Sequence, residues 1–200
     1  MDISADPATA FMIGVALAWL AGVRVYLTIF GVGLAAHMGW LELPASLQLA
    51  QSPIVLTFCG ALALVEFFAD KLPGADSIWD LVHTLVRIPA GAFLGTIALP
   101  GIGGDATLAG LALGGGVAAL SHGLKSSTRA LINASPEPLS NWTASFTEDA
   151  LVISGLWLVF THPLWAMLLL LLATSAFVAI VVLLFRLVRH VARQFRSAVA

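Results

Sequence analysis

Charge is what this sequence has least of. Only 10% of its 200 residues are Asp, Glu, Lys or Arg, against 60% hydrophobic residues and a mean hydropathy of +0.98. A soluble domain carries roughly 25% charged residues, so the chain lacks the polar surface needed to face water on all sides. Cysteine is nearly absent too. Cys59 stands alone in an apolar run, which excludes a disulfide framework and leaves it as a small buried hydrophobe. No basic patch lies outside the flanks of the apolar runs, and the net charge is −2, so no nucleic-acid partner is expected. No secretory leader is expected either. Met1-Asp2-Ile3-Ser4-Ala5-Asp6-Pro7 is acidic where a leader is basic, and the apolar run behind it is too long for one, so the first helix is expected to be retained.

What is present is a series of apolar runs, expected to form one transmembrane domain over residues 1–200. A helix crossing the hydrocarbon core takes about 20 residues, within a range of roughly 17 to 25. The first run extends from about Ala8 to Ala36, with Asp6 as N-cap and Pro7 in the first turn. The others are Pro53 to Ala69, Leu85 to Leu99, Ala106 to Leu120 (continuing as a more polar helix to Ile132), Phe146 to Phe160, and Pro163 to Leu187. Ser145 and Glu148 have the spacing of a capping box for the fifth run, and Thr161-His162-Pro163 forms a tight turn before the sixth. The fold expected is an all-α polytopic membrane bundle of about six transmembrane helices.

Of the nine basic residues, eight fall on one side of that arrangement. Lys71 and Arg87 flank one connection, Lys125 and Arg129 another, and Arg186, Arg189, Arg193 and Arg196 follow the last span in a basic tail at 186–200. The opposite loops hold no Lys or Arg, so the positive-inside rule places the charged loops and both termini in the cytoplasm. Two further patterns concern packing. Pro73-x-x-x-Ser77-x-Trp79 recurs as Pro136-x-x-x-Ser140-x-Trp142, which suggests a parallel repeat of spans two and three in spans four and five, or two similar interfacial turns. Gly91-x-x-x-Gly95 and Gly110-x-x-x-Gly114 let two helix backbones approach closely.

Most polar chemistry outside the termini lies in two segments. The first runs from Glu66 through Asp70, Lys71, Asp76, Asp80 and His83 to Arg87. The second holds His122, Lys125, Ser126, Ser127 and Arg129, then Asn133 to Asn141, then Glu148 and Asp149. Glu66 and Asp70, four apart, share a helix face, and so do Asp76, Asp80 and His83. Ionisable groups in or at the edge of a bilayer are costly, so they line a cavity or pair with one another. The bland readings are that Asp76 caps a helix, Glu148 completes its capping box, and Asp70 and Lys71 mark a membrane exit. Arg24 is the odd basic residue. If the first run is one helix of about 29 residues, Arg24 sits roughly 10 Å inside the cytoplasmic boundary, at the depth of Glu66, and an Arg24–Glu66 pair is expected.

The run Glu66-Phe67-Phe68-Ala69-Asp70-Lys71-x-Pro73-x-x-Asp76-Ser77-x-Trp79-Asp80, with His83-Thr84-x-x-Arg87-x-Pro89-Ala90-Gly91 behind it, resembles a bacterial membrane family catalogued as domain-of-unknown-function family 4126. The segment from Arg129 through Asn133, Ser135-Pro136-Glu137-Pro138, Asn141-Trp142 and Ser145 to Glu148-Asp149 carries the same resemblance, which spans nearly the whole chain. It implies a multi-pass protein of a bacterial inner membrane and brings no assigned activity.

Three function classes follow. The first is a transporter or channel for a small ion or solute, with Glu66, Asp70, Asp76 and Asp80 drawing a cation or relaying protons and Lys125 and Arg129 contacting an anion. The second is an intramembrane enzyme on a lipid substrate, using a metal at Asp76, Asp80 and His83 or a nucleophile among Ser126, Ser127 and Ser135. The third is an assembly protein whose Arg-rich tail meets anionic lipid. Transport is preferred over catalysis, the only partners expected are the bilayer and a small ion or solute, and no cofactor is called for.

Overall fold

The computed structural model describes residues 6–72, 75–99, 103–133 and 138–199. Its helices are α1 (Pro7–Val23), α2 (Val25–His37), α3 (Pro53–Ala69), α4 (Ala75–Gly95), α5 (Gly103–Asn133), α6 (Pro138–Thr161) and α7 (Pro163–Val199). A 3-10 helix, Ala45–Gln51, leads into α3, a second, Thr96–Ala98, ends α4, and no β-strand occurs among the described residues. The chain divides into two compact units, Met1–Met167 and Leu168–Ala200, the second being the remainder of α7 and the last residue.

Local chemistry accounts for the helix starts. Asp6 accepts the Thr9 backbone N–H at 2.8 Å with Pro7 in the first turn, and Ser52 accepts that of Val55 at 3.3 Å with Pro53 behind it. Among the described residues four helices are long and apolar enough to cross a membrane, over Ile78–Ala98, Thr107–Asn133, Leu139–Thr161 and Pro163–Ile180. α1, α2 and α3 are shorter apolar helices. Polarity is inside out. Ile54, Leu81 and Leu85 are 82%, 74% and 81% exposed, whereas Arg24, Arg87 and Arg129 are at most 1% exposed. Water would not tolerate that exterior, and lipid does.

The first apolar run is not one helix. It breaks at Arg24, whose backbone (φ −141°, ψ 88°) leaves the helical region, and the chain turns back on itself. Ser121 donates to the Trp19 carbonyl at 2.8 Å and Lys125, one turn on, reaches the Val23 carbonyl at 3.3 Å, so α1 runs in the direction of α5. α2 runs against α3, because a Cβ on Gly60 would meet Phe30 at 3.1 Å while one on Gly33 would meet Leu56 at 3.1 Å. α3 in turn runs against α4, and α4 against α5, as up-and-down neighbours joined by short connections. α1 and α2 are therefore the descending and ascending arms of one V with Arg24 at its apex, and the Pro7 end of α1 lies on the same face as the His37 end of α2. Only one residue leaves the ladder. The Arg24 N–H still bonds to Leu20 O (2.9 Å), and its carbonyl still accepts from Thr28 N–H (3.0 Å) and from the Thr28 hydroxyl (2.8 Å).

Other expectations shift at helix ends. α4 begins ten residues before the expected Leu85, so Asp80, His83 and Arg87 stand on a helix and Asp76 is its second residue. α6 begins at Pro138, which places Ser145 and Glu148 in mid-helix, so they form no capping box. α5 is a single helix, and α7 runs on to Val199. The two glycine pairs do form a close crossing: a Cβ on Gly95 would lie 2.6 Å from Gly110 O and 2.8 Å from Gly114 N. Pro73 and Pro136 of the recurring pattern lie outside the described residues. α3 and α5 share a direction, as a parallel repeat requires and as any up-and-down chain provides. The two tryptophans differ, Trp79 stacking on His83 at 3.9 Å and Trp142 standing half exposed.

Candidate functional site: a buried charge cluster

The V delivers Arg24 into a cluster that draws on α3, α4, α5 and α6. The end of α3 supplies Glu66 and Asp70, four apart on one face, with Lys71 just beyond. α4 supplies Asp80 and Arg87, α5 supplies Lys125 and Arg129, again four apart, and α6 supplies Asn141, Ser145, Glu148 and Asp149.

Asp70 is the hub. Its Oδ2 lies 2.8 Å from Arg24 Nη1, 2.7 Å from Lys125 Nζ and 3.7 Å from Arg129 Nη2, and its backbone carbonyl accepts from Arg129 Nη1 at 3.1 Å. Arg24 Nη2 also reaches Asp149 Oδ1 (3.0 Å) and Glu148 Oε2 (3.6 Å), and donates to Ser145 Oγ (3.0 Å) and O (3.2 Å). Glu148 ties α6 to α5 through Arg129 Nε (2.9 Å) and Lys125 Nζ (3.3 Å). Arg129 Nη1 further donates to the Asn141 backbone and side-chain oxygens, both at 3.3 Å, and Asn141 donates on to Asn133 Oδ1 at 3.0 Å. Lys71 donates to Ser145 Oγ at 3.1 Å, lies 3.9 Å from Asp149 Oδ2, and sits over the Phe67 ring.

A second lobe joins through Asp80. Arg87 bridges Glu66 (2.6 Å) and Asp80 (2.5 Å), and Asp80 Oδ1 is also 3.3 Å from Lys125 Nζ. Across the described residues the cluster holds five cations (Arg24, Lys71, Arg87, Lys125, Arg129) and five carboxylates (Glu66, Asp70, Asp80, Glu148, Asp149). Their side chains are 0 to 15% exposed. That balance is what a low-dielectric interior demands, since each unpaired ion there costs several kcal/mol.

The two polar segments thus meet, though not with the partners expected. Arg24 pairs with Asp70 and Asp149, and Glu66 pairs with Arg87, so the Arg24–Glu66 pair does not form. The break at Arg24 redirects that side chain towards α6. His83 lies apart, its Nδ1–H donating to the Trp79 carbonyl at 2.8 Å and its ring stacked on Trp79. Asp80 is taken up by Arg87 and Lys125, and the Asp76 side chain lies outside the described residues. Among the described residues no three His, Cys, Asp or Glu gather where one metal ion could be held. Of the serines, Ser127 donates to Gly123 O, Ser135 lies outside the described residues, and Ser126 is 3.5 Å from a His122 nitrogen that lies closer to Thr84.

His122 and Ser145 belong to the site although neither is expected from the sequence as a binding residue, Ser145 being expected as a helix cap. His122 Nδ1 lies 3.0 Å from Arg87 Nη1, a permanent donor, so that nitrogen carries the lone pair. Nε2–H then donates to Thr84 Oγ1 at 2.7 Å, and Thr84 donates to the Asp80 carbonyl at 3.0 Å. The available signal was the helical period, since His122, Lys125 and Arg129 fall at intervals of three and four on α5.

The charge pattern has another consequence. Lys71, Arg87, Lys125 and Arg129, four of the eight residues that placed the polar loops in the cytoplasm, are buried ion-pair partners and not loop charges. A cavity of about 640 Å³ between α2 and α6, walled by Leu27, Phe30, Leu34, Leu156 and Trp157, is apolar and separate from the cluster.

Fold and site together define a polytopic membrane helix bundle with a V-shaped helix pair and a buried, charge-balanced cluster at its apex. The chain belongs to the family described as Domain of unknown function (DUF4126), which matches residues 11–186. That range includes every member of the cluster. No curated protein and no solved structure matches it.

Proposed function

We propose that this protein is a membrane transporter or channel for a small ion or solute, and that the cluster around Arg24 and Asp70 is its binding site. The carrying observation is the helix break: a non-helical residue inside a membrane bundle brings both helix ends and its own guanidinium onto Asp70, Glu148 and Asp149, within a buried cluster of carboxylates and cations. Interrupted helices at membrane depth are tolerated where they are buried in protein or line a cavity, and transporters use them to hold charged substrates. The cluster is closed in this structure, so a charged solute enters by exchanging with one of the internal partners. Binding is thereby coupled to rearrangement of α1–α2 against α3 and α6. The membrane we assign is a bacterial inner membrane, with the Arg186–Arg196 tail in the cytoplasm. On this reading the start of α1 lies on the opposite side, in place of the cytoplasmic side expected for both termini. Purified protein in liposomes, assayed for uptake across a panel of inorganic ions and small metabolites, tests the proposal. Saturable uptake above empty vesicles that Arg24→Gln abolishes is expected. Uptake equal to empty vesicles across the panel overturns it.

A further inference from the structure

Asp70 is bound as a ligand is bound. Cations from two separate parts of the chain converge on one of its oxygens: Arg24 Nη1 at 2.8 Å and, from α5, Lys125 Nζ at 2.7 Å with Arg129 Nη2 at 3.7 Å. Asp70 is the C-cap of α3, whose helical run ends at Ala69, so the carboxylate is carried on a helix end. The cradle itself is built from other elements and is held without Asp70. Lys125 is 3.3 Å from both Asp80 and Glu148, Arg129 is fixed by Glu148 and Asn141, and Arg24 is fixed by Asp149 and Ser145.

The charges decide what such a cradle takes. Among the described residues five cations face five carboxylates when Asp70 is charged, and removing that charge leaves them facing Glu66, Asp80, Glu148 and Asp149. The buried site is then one charge more positive than with Asp70 in place. Two guanidinium groups offer forked N–H donors that suit a planar carboxylate or a phosphate oxygen pair, and Lys125 adds a point charge. We infer that Arg24, Lys125 and Arg129 form an anion-binding cradle for a small carboxylate or phosphate, and that the Asp70 carboxylate occupies it in the closed state as an internal stand-in for that anion. This rests on the transport reading and names the substrate class of the same site: the substrate exchanges with Asp70, and the exchange frees the end of α3.

Removing the stand-in should leave a protein that seeks an exogenous one. Asp70→Ala in detergent is titrated with sodium formate, acetate and phosphate at an ionic strength held with sodium chloride, and its melting temperature is followed. A saturable rise is expected for at least one of the three anions, with an apparent affinity at least tenfold better than in wild type, where Asp70 competes. Adding Arg129→Gln to Asp70→Ala should remove that gain. If Asp70→Ala yields no folded protein in plain buffer, recovery on purification in formate or phosphate supports the cradle. Failure of recovery, together with an Asp70→Asn protein indifferent to all three anions, overturns it. The two proposals fail separately. Anion binding by Asp70→Ala with no uptake in liposomes keeps the cradle and removes transport, whereas cation uptake with no anion response in either variant keeps transport and removes the cradle.

Discussion

Replacing Arg87 by methionine separates a buried ion-pair partner from a topology determinant. Arg87 is 0% exposed and holds Glu66 at 2.6 Å and Asp80 at 2.5 Å. Methionine has a similar length and no charge, so the variant leaves two carboxylates to find other partners. Asp80 keeps Lys125 at 3.3 Å. Glu66 keeps nothing in the described structure, since its Oε1 is bound only by Arg87 and its Oε2 has no hydrogen-bond partner. The loss is therefore one orphaned buried carboxylate, about 3–5 kcal/mol, a large share of the roughly 5–15 kcal/mol that holds a typical domain together. Neutralising the orphan should recover much of it, so Glu66→Gln in the Arg87→Met background is expected to be more stable than Arg87→Met alone by about 2 kcal/mol or more. Reversible unfolding in bicelles or mixed micelles, followed by circular dichroism, reads both values. An Arg87→Met protein within about 0.5 kcal/mol of wild type would refute the burial argument, and so would a double variant no better than the single one.

Three further outcomes follow from local geometry. Gly95→Val should cost about 1–3 kcal/mol in the same unfolding assay, because its Cβ would press on the Gly110 carbonyl at 2.6 Å and split the α4–α5 crossing. Gly123→Ala, with nothing within 4 Å of the added carbon, should instead stabilise α5 by about 0.5–1 kcal/mol. Asp6 has its carboxyl held below the usual value of 3.8 by the Thr9 hydroxyl and N–H. The folded pKa is lowered, so the cap's contribution is complete above about pH 4 and is lost as pH falls through the lowered value. Hydrogen exchange in the first turn of α1, corrected for its intrinsic pH dependence, should stay flat above that point and quicken below it.

The apolar runs and their caps were legible because each rests on local chemistry. Ser52-Pro53 starts α3 where expected, and Pro163 follows the His162 turn. The polar residues of the site were legible too, since charge in an apolar chain stands out. Their pairing was not. Val23-Arg24-Val25 carries no proline and no break signal beyond the charge itself, so a 29-residue apolar run reads as one helix although tertiary ion pairs bend it double. That break sends Arg24 to Asp70 and Asp149 instead of Glu66. The start of α6 was missed for a related reason. Ser140, Asn141, Thr143 and Ser145 look like a loop by composition, yet Asn141 and Ser145 are buried on one helical face as ligands to Arg129, Arg24 and Lys71.

The reversal at Arg24 underlies both the cluster and the proposed site, and one labelling experiment addresses it. Single cysteines at Ala8 and Met38, both exposed, are introduced in turn into a Cys59→Ala background and treated with a membrane-impermeant maleimide in sealed, oriented vesicles. Two arms of one V predict labelling of both positions from the same side. Labelling of Ala8 from one side and Met38 from the other would mean a single crossing helix, and would contradict the account.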